Sequence, residues 1–492
     1  MVNSLSSFNL VAAAEATMQE HGFKPEFSAE AKQQLAGILQ QAPKAAGLLG
    51  KADVKDLRSL LWSSIDNDTS KDLDQIEVAE QQANGKIRVL VGVADVDGTV
   101  QKGTPLDAHA ASETTSVYTG VRVFPMLPAE LSEGLTSLNE GQDRAAVITE
   151  FCVDAQGIVT DDKIYRAVVR NKAQLAYNDV GAWLEGKGAA PDKVAASAEL
   201  AAQLHLQDKA AQALSKARFQ HGALSLETIE TRPIMTGDQA TDLARQLKNR
   251  ATSLIEEFMI AANGVMARTL EAAKVASIRR VVRVPKRWDR IVELAREAGT
   301  TLPPQPDSKA LEDFLRAQQT KDSVHFPDLS LAVIKLMGPG EYVLERPGDP
   351  EQGHFGLAVQ DYTHSTAPNR RFADLVTQRL IKSVLASQPA PYSNDELAAI
   401  ALNCTLKEDA ARKVEREMSK RIAAVAMSSR IGEAFDAIVT GVTPHGTFVR
   451  VLNPAVEGLL TQGQQGADVG DRLRVKLIRT DVQCGYIDFA RD

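Results

Sequence analysis

Four carboxylates, Asp66, Asp68, Asp72 and Asp74, fall within nine residues of the stretch Ser64-Ile65-Asp66-Asn67-Asp68-Thr69-Ser70-Lys71-Asp72-Leu73-Asp74-Gln75. Clustered carboxylates repel one another, so a folded chain keeps them close only where a cation or solvent relieves the repulsion. The residues alone leave two readings open. One is a solvated acidic turn or a helix N-cap. The other is a hard-cation site, for Mg²⁺ or Mn²⁺, suited to phosphate chemistry. The apolar lead-in Leu60-Leu61-Trp62 and the strand-like run from Lys86 to Val96 do not call for this acidic pattern.

A second informative stretch runs from His354 to Arg379. Its polar segment Tyr362-Thr363-His364-Ser365-Thr366-Ala367-Pro368-Asn369 leads into Arg370-Arg371 and then an apolar-periodic helix. Free N–H groups at a helix start, with guanidinium forks beside them, suit an anionic phosphate. The plainer reading is a helix start with surface charge. A third group, Arg279, Arg280, Arg283, Lys286, Arg287 and Arg290 around Trp288, could meet phosphates or form a solvated face.

The elements that must position these residues can be outlined. At 492 residues the chain has room for several domains, and its apolar and charged content is that of an ordinary globular protein. The net charge of −8 means that any nucleic-acid binding must rest on local basic patches. Three widely spaced cysteines, Cys152, Cys404 and Cys484, form neither a disulfide framework nor a zinc site and suit a reducing cytoplasm. No signal peptide is visible, and no run approaches the ~18 apolar residues of a membrane helix.

Residues 1–57 read as a small helical domain. Helices are expected around Leu10–Met18, over 28–41, and from Asp53 to Leu61. A helix-turn-helix arrangement is one reading and an ordinary helical prefix the other. Strands follow to about 170, with a hairpin at Asp154-Ala-Gln-Gly157. Helices are expected over Ala173–Glu185, Asp192–Arg218, Ala240–Ala273, 308–318, 373–388 and 394–428. From Gly432 about five short strands separated by glycine turns suggest a small barrel. The fold class is therefore α+β and multidomain: 1–57 helical, 58–428 a central α/β domain, and 429–492 a five-stranded OB-fold barrel.

The stretch 354–379 resembles the His-x-Gly-Leu…Tyr-Thr-His-Phe-Thr-Ser-Pro-Ile-Arg-Arg-Tyr-x-Asp-Leu signature of the ribonuclease II (RNB) family. Other segments are similar to that family in the same order. These include Ile65-Asp66…Asp72-Leu73-Asp74, Val93-Ala94-Asp95-Val96, Gly103-Thr-Pro-Leu-Asp107, Thr115-Ser-Val-Tyr118 and Pro125 to Ser132. Ser137 to Arg144, Leu175-Ala-Tyr177, Ile255 to Asn263 and Glu415-Arg-Glu-Met418 complete the set. The tail resembles the family's S-one-type OB domain through Val442 to Val449, which includes Phe448, and Glu457-Gly-Leu-Leu.

The resemblance implies processive hydrolytic 3′→5′ degradation of single-stranded RNA to nucleoside 5′-monophosphates, assisted by Mg²⁺, with Mn²⁺ as a substitute. It implies that Asp66, Asp72 and Asp74 are metal and catalytic positions and that Arg370 is the catalytic arginine. Tyr177 would lie beside the scissile bond and Tyr118 would stack on a base. Glu256, His364, Arg371 and Phe448 are further expected RNA contacts. The expected partner is the 3′ end of an RNA, bound by a cytoplasmic monomer. Neither a membrane nor a dinucleotide cofactor is expected.

The chain departs from the family pattern in several places. Gln75 stands where the family has a fourth Asp, and its amide oxygen can ligate a cation but carries no charge. Asp68 is the candidate to compensate. Ser225 and Leu226 stand where an aromatic of a base clamp is expected. Helices replace the cold-shock barrels that usually precede the catalytic domain, which suggests a more open entrance able to admit duplex regions. Gln75 also supports an alternative, a catalytically weakened RNA-binding or regulatory protein on the same scaffold.

Overall fold

The computed structural model describes residues 8–41, 45–49, 51, 53–236, 239–350 and 352–492. The apolar run Ile87–Ala94 lies inside a seven-stranded sheet with both faces covered, which accounts for its near-continuous hydrophobicity. In chain order, helices α1 (Leu10–Glu20) and α2 (Ala29–Gln41) precede strands β1 (Val54–Asp56), β2 (Ser63–Asp66), β3 (Gln75–Gln81) and β4 (Ile87–Ala94). Helix α3 (Pro105–Glu113) and the short pair β5 (Val117–Tyr118) and β6 (Val123–Phe124) come next. They are followed by β7 (Asp143–Val153), β8 (Val159–Arg170) and β9 (Ala173–Ala176). The sheet order is β1-β8-β7-β4-β3-β2-β9. Strand β1 runs parallel to β8 and β2 parallel to β9, and the other neighbours are antiparallel. At the turn between β7 and β8, Gly157 has φ +79° and an added Cβ would lie 2.2 Å from the Ala213 carbonyl, so the turn requires glycine.

Helices α4 (Tyr177–Leu184), α5 (Asp192–Ala195) and α6 (Ala198–Gln220) follow, then the hairpin of β10 (Glu230–Thr236) and β11 (Gln239–Gln246), then α7 (Arg250–Ala272). Strand β12 (Ser277–Val281) pairs with β13 (Glu341–Glu345) around the helices α8 (Trp288–Glu297), α9 (Ser308–Lys321) and α10 (Phe326–Met337). Helix α11 (Phe372–Leu385) and the 35-residue α12 (Asn394–Ser428) complete the central domain. Leu204, Leu254 and Phe258 of α6 and α7 pack on Ile65, Val91 and Phe151 on one face of the sheet. On the other face Ile76, Leu90 and Ile148 meet Leu106 of α3 and Leu375, Val376 and Leu380 of α11. Helix α12, about 50 Å long, starts at a capping box of Ser393 and Glu396 and ends at the barrel.

The C-terminal strands β14 (Ala434–Thr443), β15 (Gly446–Val451), β16 (Val456–Gln462), β17 (Arg472–Asp481) and β18 (Tyr486–Arg491) close in the order β14-β15-β16-β18-β17. This is the expected five-stranded barrel. Along β15, Thr447, Val449 and Val451 are buried, while Phe448 and Arg450 alternate with them and stay partly exposed.

The α+β class, the helical N-terminal region and the barrel follow the sequence reading, but four details differ. The helix expected from Asp53 to Leu61 does not form. Val54–Asp56 instead pairs with Arg166–Val168 of β8, so the sheet begins inside the segment assigned to the N-terminal domain. Among the described residues no helix-turn-helix pair forms either. Leu10, Ala14 and Met18 of α1 pack with Val414, Met418 and Ile422 of α12, whereas Ala31 of α2 enters the core around α3. Residues 240–246 are strand, paired with β10, and α7 starts only at Arg250, where Asn249 caps it. Residues 173–176 are strand β9 and the helix begins at Tyr177.

Candidate active site

The acidic stretch forms the connection between β2 and β3, and it is pinned from outside. The Leu73 N–H donates to Ser137 Oγ at 3.0 Å, and that hydroxyl donates to the Lys71 carbonyl at 2.7 Å. The Leu138 N–H donates to the Leu73 carbonyl and the Ala94 N–H to the Asp74 carbonyl. Asp66 accepts from the Asn67 N–H at 2.7 Å and the Ser70 hydroxyl at 2.8 Å. Burial raises its carboxyl above the ordinary value against those hydrogen bonds. Asp72 is half-buried and accepts from the Tyr118 hydroxyl at 2.9 Å.

Asp74 is the least ordinary of the set. It is 2% exposed, and its Oδ1 accepts from the Asn369 N–H at 2.9 Å. Its Oδ2 has no hydrogen-bond partner and lies 3.5 Å from Arg370 Nε. Burial pushes its carboxyl up to about 7, with Arg370 opposing and Asp72 adding to the rise. The two motifs, 295 residues apart, thus meet at one carboxylate.

The arginine segment is held by its own helix and by neighbours. Asp374 in the first turn of α11 accepts from the Ala367 N–H at 2.8 Å and takes both ends of the Arg371 fork at 2.8 Å each. Arg371 is therefore tied to the first turn of its own helix, with its side chain 22% exposed. Arg370 keeps a side chain that is 41% exposed. Asn263 of α7 accepts from the Ser365 N–H and hydroxyl. The Ser116 N–H donates to the Arg370 carbonyl and the Phe372 N–H to the Thr114 carbonyl, so the segment carrying Tyr118 is laced to the arginines.

The remaining expected residues divide. Tyr177, the first residue of α4, lies close enough to Asp66, Glu77 and Arg370 that their charges act on its hydroxyl. Burial, the larger effect, raises that hydroxyl further. Gln75 opens β3 opposite Val93 and is half-buried. Asp68 has a side chain 58% exposed and pairs with Arg232 of β10 at 3.3 Å, so its charge is already answered outside the buried cluster. His364 bonds Tyr342 through Nδ1, and burial keeps its imidazole neutral well below the usual range. Glu256 pairs with Lys248 and lines a separate cavity of about 520 Å³ with Arg218 and Phe219. Ser225, where an aromatic was expected, is tied through its N–H and hydroxyl to Glu312. Part of the basic group is paired internally: Arg279 with Glu345, Arg280 with Glu408 and Arg283 with Glu341.

The sequence reading missed Glu77, which sits in the middle of β3 at 0% exposure with both carboxyl oxygens unpartnered. Burial, and to a lesser degree Asp66, pushes it well above its ordinary value. In the sequence the available signal was a glutamate flanked by Ile76, Val78 and Ala79. Ser137 and Asn369 were also missed, because their roles depend on partners elsewhere in the chain, and Asp374 was missed although its partner Arg371 stands three residues before it.

The donor set suits a hard cation. The oxygens are carboxylates, and one of them is buried without a donor, although buried polar atoms are normally satisfied. Among the described residues no three His, Cys, Asp or Glu side chains gather tightly enough to hold a metal unaided. Mg²⁺ commonly takes one or two carboxylates and completes its shell with water and substrate phosphate, so the arrangement fits an ion shared with a substrate.

Comparison with known proteins agrees with this geometry. The RNB domain matches residues 54–387, and the RNase II-type exonuclease C-terminal S1 domain matches residues 433–492. Ribonuclease R of Escherichia coli (strain K12) is 31% identical over 465 residues, which cover 91% of this chain and 55% of that protein. The chain therefore spans little more than half the length of that relative. The apo structure of Mycoplasma genitalium RNase R superimposes with a TM-score of 0.86 at 24% identity, covering 99% of this chain and 78% of the other. The structure of the same protein in complex with double-stranded RNA gives 0.85 at 25% identity, with 99% and 84% covered. No helix among the described residues is long and apolar enough to cross a membrane. The chain belongs to the RNB-domain family.

Proposed function

We propose that this chain is a hydrolytic 3′→5′ exoribonuclease that processively releases nucleoside 5′-monophosphates from single-stranded RNA. Asp66, Asp72 and Asp74 would hold a divalent cation, Mg²⁺ or Mn²⁺. When bound, that ion lowers the pKa of a water and neutralises charge on the phosphate. Arg370 would add its guanidinium to the phosphate as charge builds there. Tyr177 would border the scissile linkage, and the exposed face of Tyr118 would carry a base. The relative solved with double-stranded RNA supports extending the substrate to RNA with duplex regions beyond a 3′ overhang. The chain would act as a monomer, and the three cysteines are free thiols, which suits the cytoplasm.

The observation that carries this reading is the buried, partnerless Asp74 Oδ2 at 3.5 Å from an arginine whose side chain remains accessible. The test is a product ladder on a 3′-tailed duplex with Mg²⁺, comparing the native chain with Asp74→Asn. Release of 5′-mononucleotides by the native chain alone supports the reading. Internal cleavage, or release of oligonucleotides only, would overturn it.

Gln75 favours a second reading, an RNA-binding protein of weakened activity, because a neutral amide stands where the family pattern has a carboxylate. If the native chain and Asp74→Asn are equally inert while both bind RNA, that reading holds.

A further inference from the structure

Tyr118 has a second contact that its expected use as a stacking surface does not require. Its hydroxyl donates to Asp72 Oδ2 at 2.9 Å, while the residue as a whole stays 40% exposed. Among the described residues this is the hydrogen bond recorded for the Asp72 side chain; Asp66 and Asp74 are each held by backbone N–H donors instead. We propose that Tyr118 is a positioning residue for Asp72, so that seating an RNA base on its ring and holding a divalent cation at the acidic loop are energetically coupled. The proposal rests on the exoribonuclease reading above.

The surroundings make Tyr118 a rigid link. Its N–H donates to Glu415 Oε1 of α12 at 3.2 Å. Val117 pairs with Phe124 in the β5–β6 ribbon, and both are buried against the α1 and α12 cluster. At the ribbon's turn Gly120 has φ +82°, and an added Cβ would lie 2.9 Å from Ile422 Cδ1. Arg122 at its far side pairs with Glu15 of α1. Ser116 is bonded to the Arg370 backbone. The backbone is thus fixed from several sides, and the freedom that remains is in the side-chain torsions.

A phenol ring is planar, so a base stacked on its face also fixes the direction of its hydroxyl. That hydroxyl in turn fixes the rotation of the Asp72 carboxylate. Removing a hydrogen-bond partner that orients a metal-binding carboxylate typically weakens metal affinity by roughly 10–100-fold. Linkage requires the converse as well: a cation that favours the oriented Asp72 favours RNA by the same factor.

The experiment measures Mn²⁺ binding to the full chain by loss of the free-ion paramagnetic resonance signal. It is run with and without a 2′-O-methylated ribo-oligomer, for the native chain, Tyr118→Phe and Asp72→Asn. RNA affinity in EDTA is read separately by fluorescence anisotropy. Tyr118→Phe keeps the ring, and its own RNA affinity in EDTA is the reference against which its coupling to Mn²⁺ is read. Its Mn²⁺ affinity should fall roughly ten-fold, in the direction of Asp72→Asn but by less. In the native chain the oligomer should tighten Mn²⁺, and in Tyr118→Phe that tightening should vanish. Unchanged Mn²⁺ affinity in Tyr118→Phe, or an oligomer effect equal in both chains, would overturn the proposal. If Tyr118→Phe weakens Mn²⁺ but the native chain binds no RNA, it is the exoribonuclease reading that fails and the coupling with it, while the role of Tyr118 toward Asp72 stands. Reading the oligomer arm as well covers a site that fills only beside RNA.

Discussion

Asp74→Asn should stabilise the metal-free protein in a pH-dependent way while abolishing activity. Asp74 is 2% exposed, and its ionisation is pushed from an ordinary 3.8 up to about 7, chiefly by burial. A carboxyl raised in the folded state binds its proton more tightly there than in the unfolded chain. Wild-type stability therefore falls as pH rises from about 3.8 through about 7 and then levels off. At 1.36 kcal/mol per unit, the cost of holding this carboxylate is about 2 kcal/mol at pH 5 and about 4 kcal/mol at pH 8. The asparagine variant lacks that cost and keeps the contact to the Asn369 N–H. Its amide adds a buried donor worth roughly 1–3 kcal/mol of destabilisation, but that penalty does not change with pH. The stability of Asp74→Asn relative to wild type should therefore rise by roughly 2–3 kcal/mol between pH 5 and pH 8. Urea titrations in EDTA at both pH values measure this gap, and mononucleotide release measures activity, which should drop at least about a hundred-fold. Saturating Mg²⁺ should stabilise the wild type and not the variant. A gap that stays constant from pH 5 to pH 8 would refute the view of Asp74 as a buried carboxylate with one oxygen left without a donor.

Three further substitutions examine neighbouring parts of the structure. Asp68→Ala should leave the Mg²⁺ concentration for half-maximal activity unchanged, because its exposed carboxylate pairs with Arg232; a several-fold rise in that concentration would restore it as the substitute for a charge at Gln75. Glu77→Gln should raise the melting temperature in EDTA at pH 8 more than at pH 5, since burial lifts the Glu77 carboxyl well above its ordinary value and wild-type stability falls as pH climbs past the unfolded value. A melting temperature that drops equally at both pH values would show that the carboxyl is satisfied. Arg379→Leu should cost about 3–5 kcal/mol in urea unfolding, because Arg379 is 4% exposed and answers Asp97, Asp107 and the Tyr392 hydroxyl; a loss below about 1 kcal/mol would place those carboxylates in water.

What could be read from the sequence was whatever the residue types and their local spacing carry. The barrel strands and the helices over 198–220, 372–385 and 394–428 follow from periodicity, and the acidic loop stands out because packing has no use for it. Where pairing between distant segments decides the outcome, local signals mislead. Val54–Asp56 is only three residues long and becomes a strand because β8 lies beside it. Gln239–Gln246 is rich in good helix formers and is strand because β10 pairs with it. Arg279 and Arg280 look like a solvated or phosphate-facing patch, yet their partners Glu345 and Glu408 stand 66 and 128 residues away.

The paired arginines show how close the two kinds of information can lie. Arg370 and Arg371 are adjacent and chemically identical, and both look like phosphate ligands. The helix that starts at Phe372 places Asp374 in its first turn, where it closes on Arg371 at i+3 and takes both arms of that guanidinium. Arg370, one residue earlier and outside the helix, points its Nε at Asp74 across the chain. The i, i+3 spacing was visible in the sequence and would have paired Arg371 with Asp374. Only the fold reveals that the other arginine faces a carboxylate oxygen no hydrogen bond has claimed. That difference separates an arginine whose fork is taken by its own helix from one whose guanidinium stays 41% exposed beside a carboxylate oxygen without a donor.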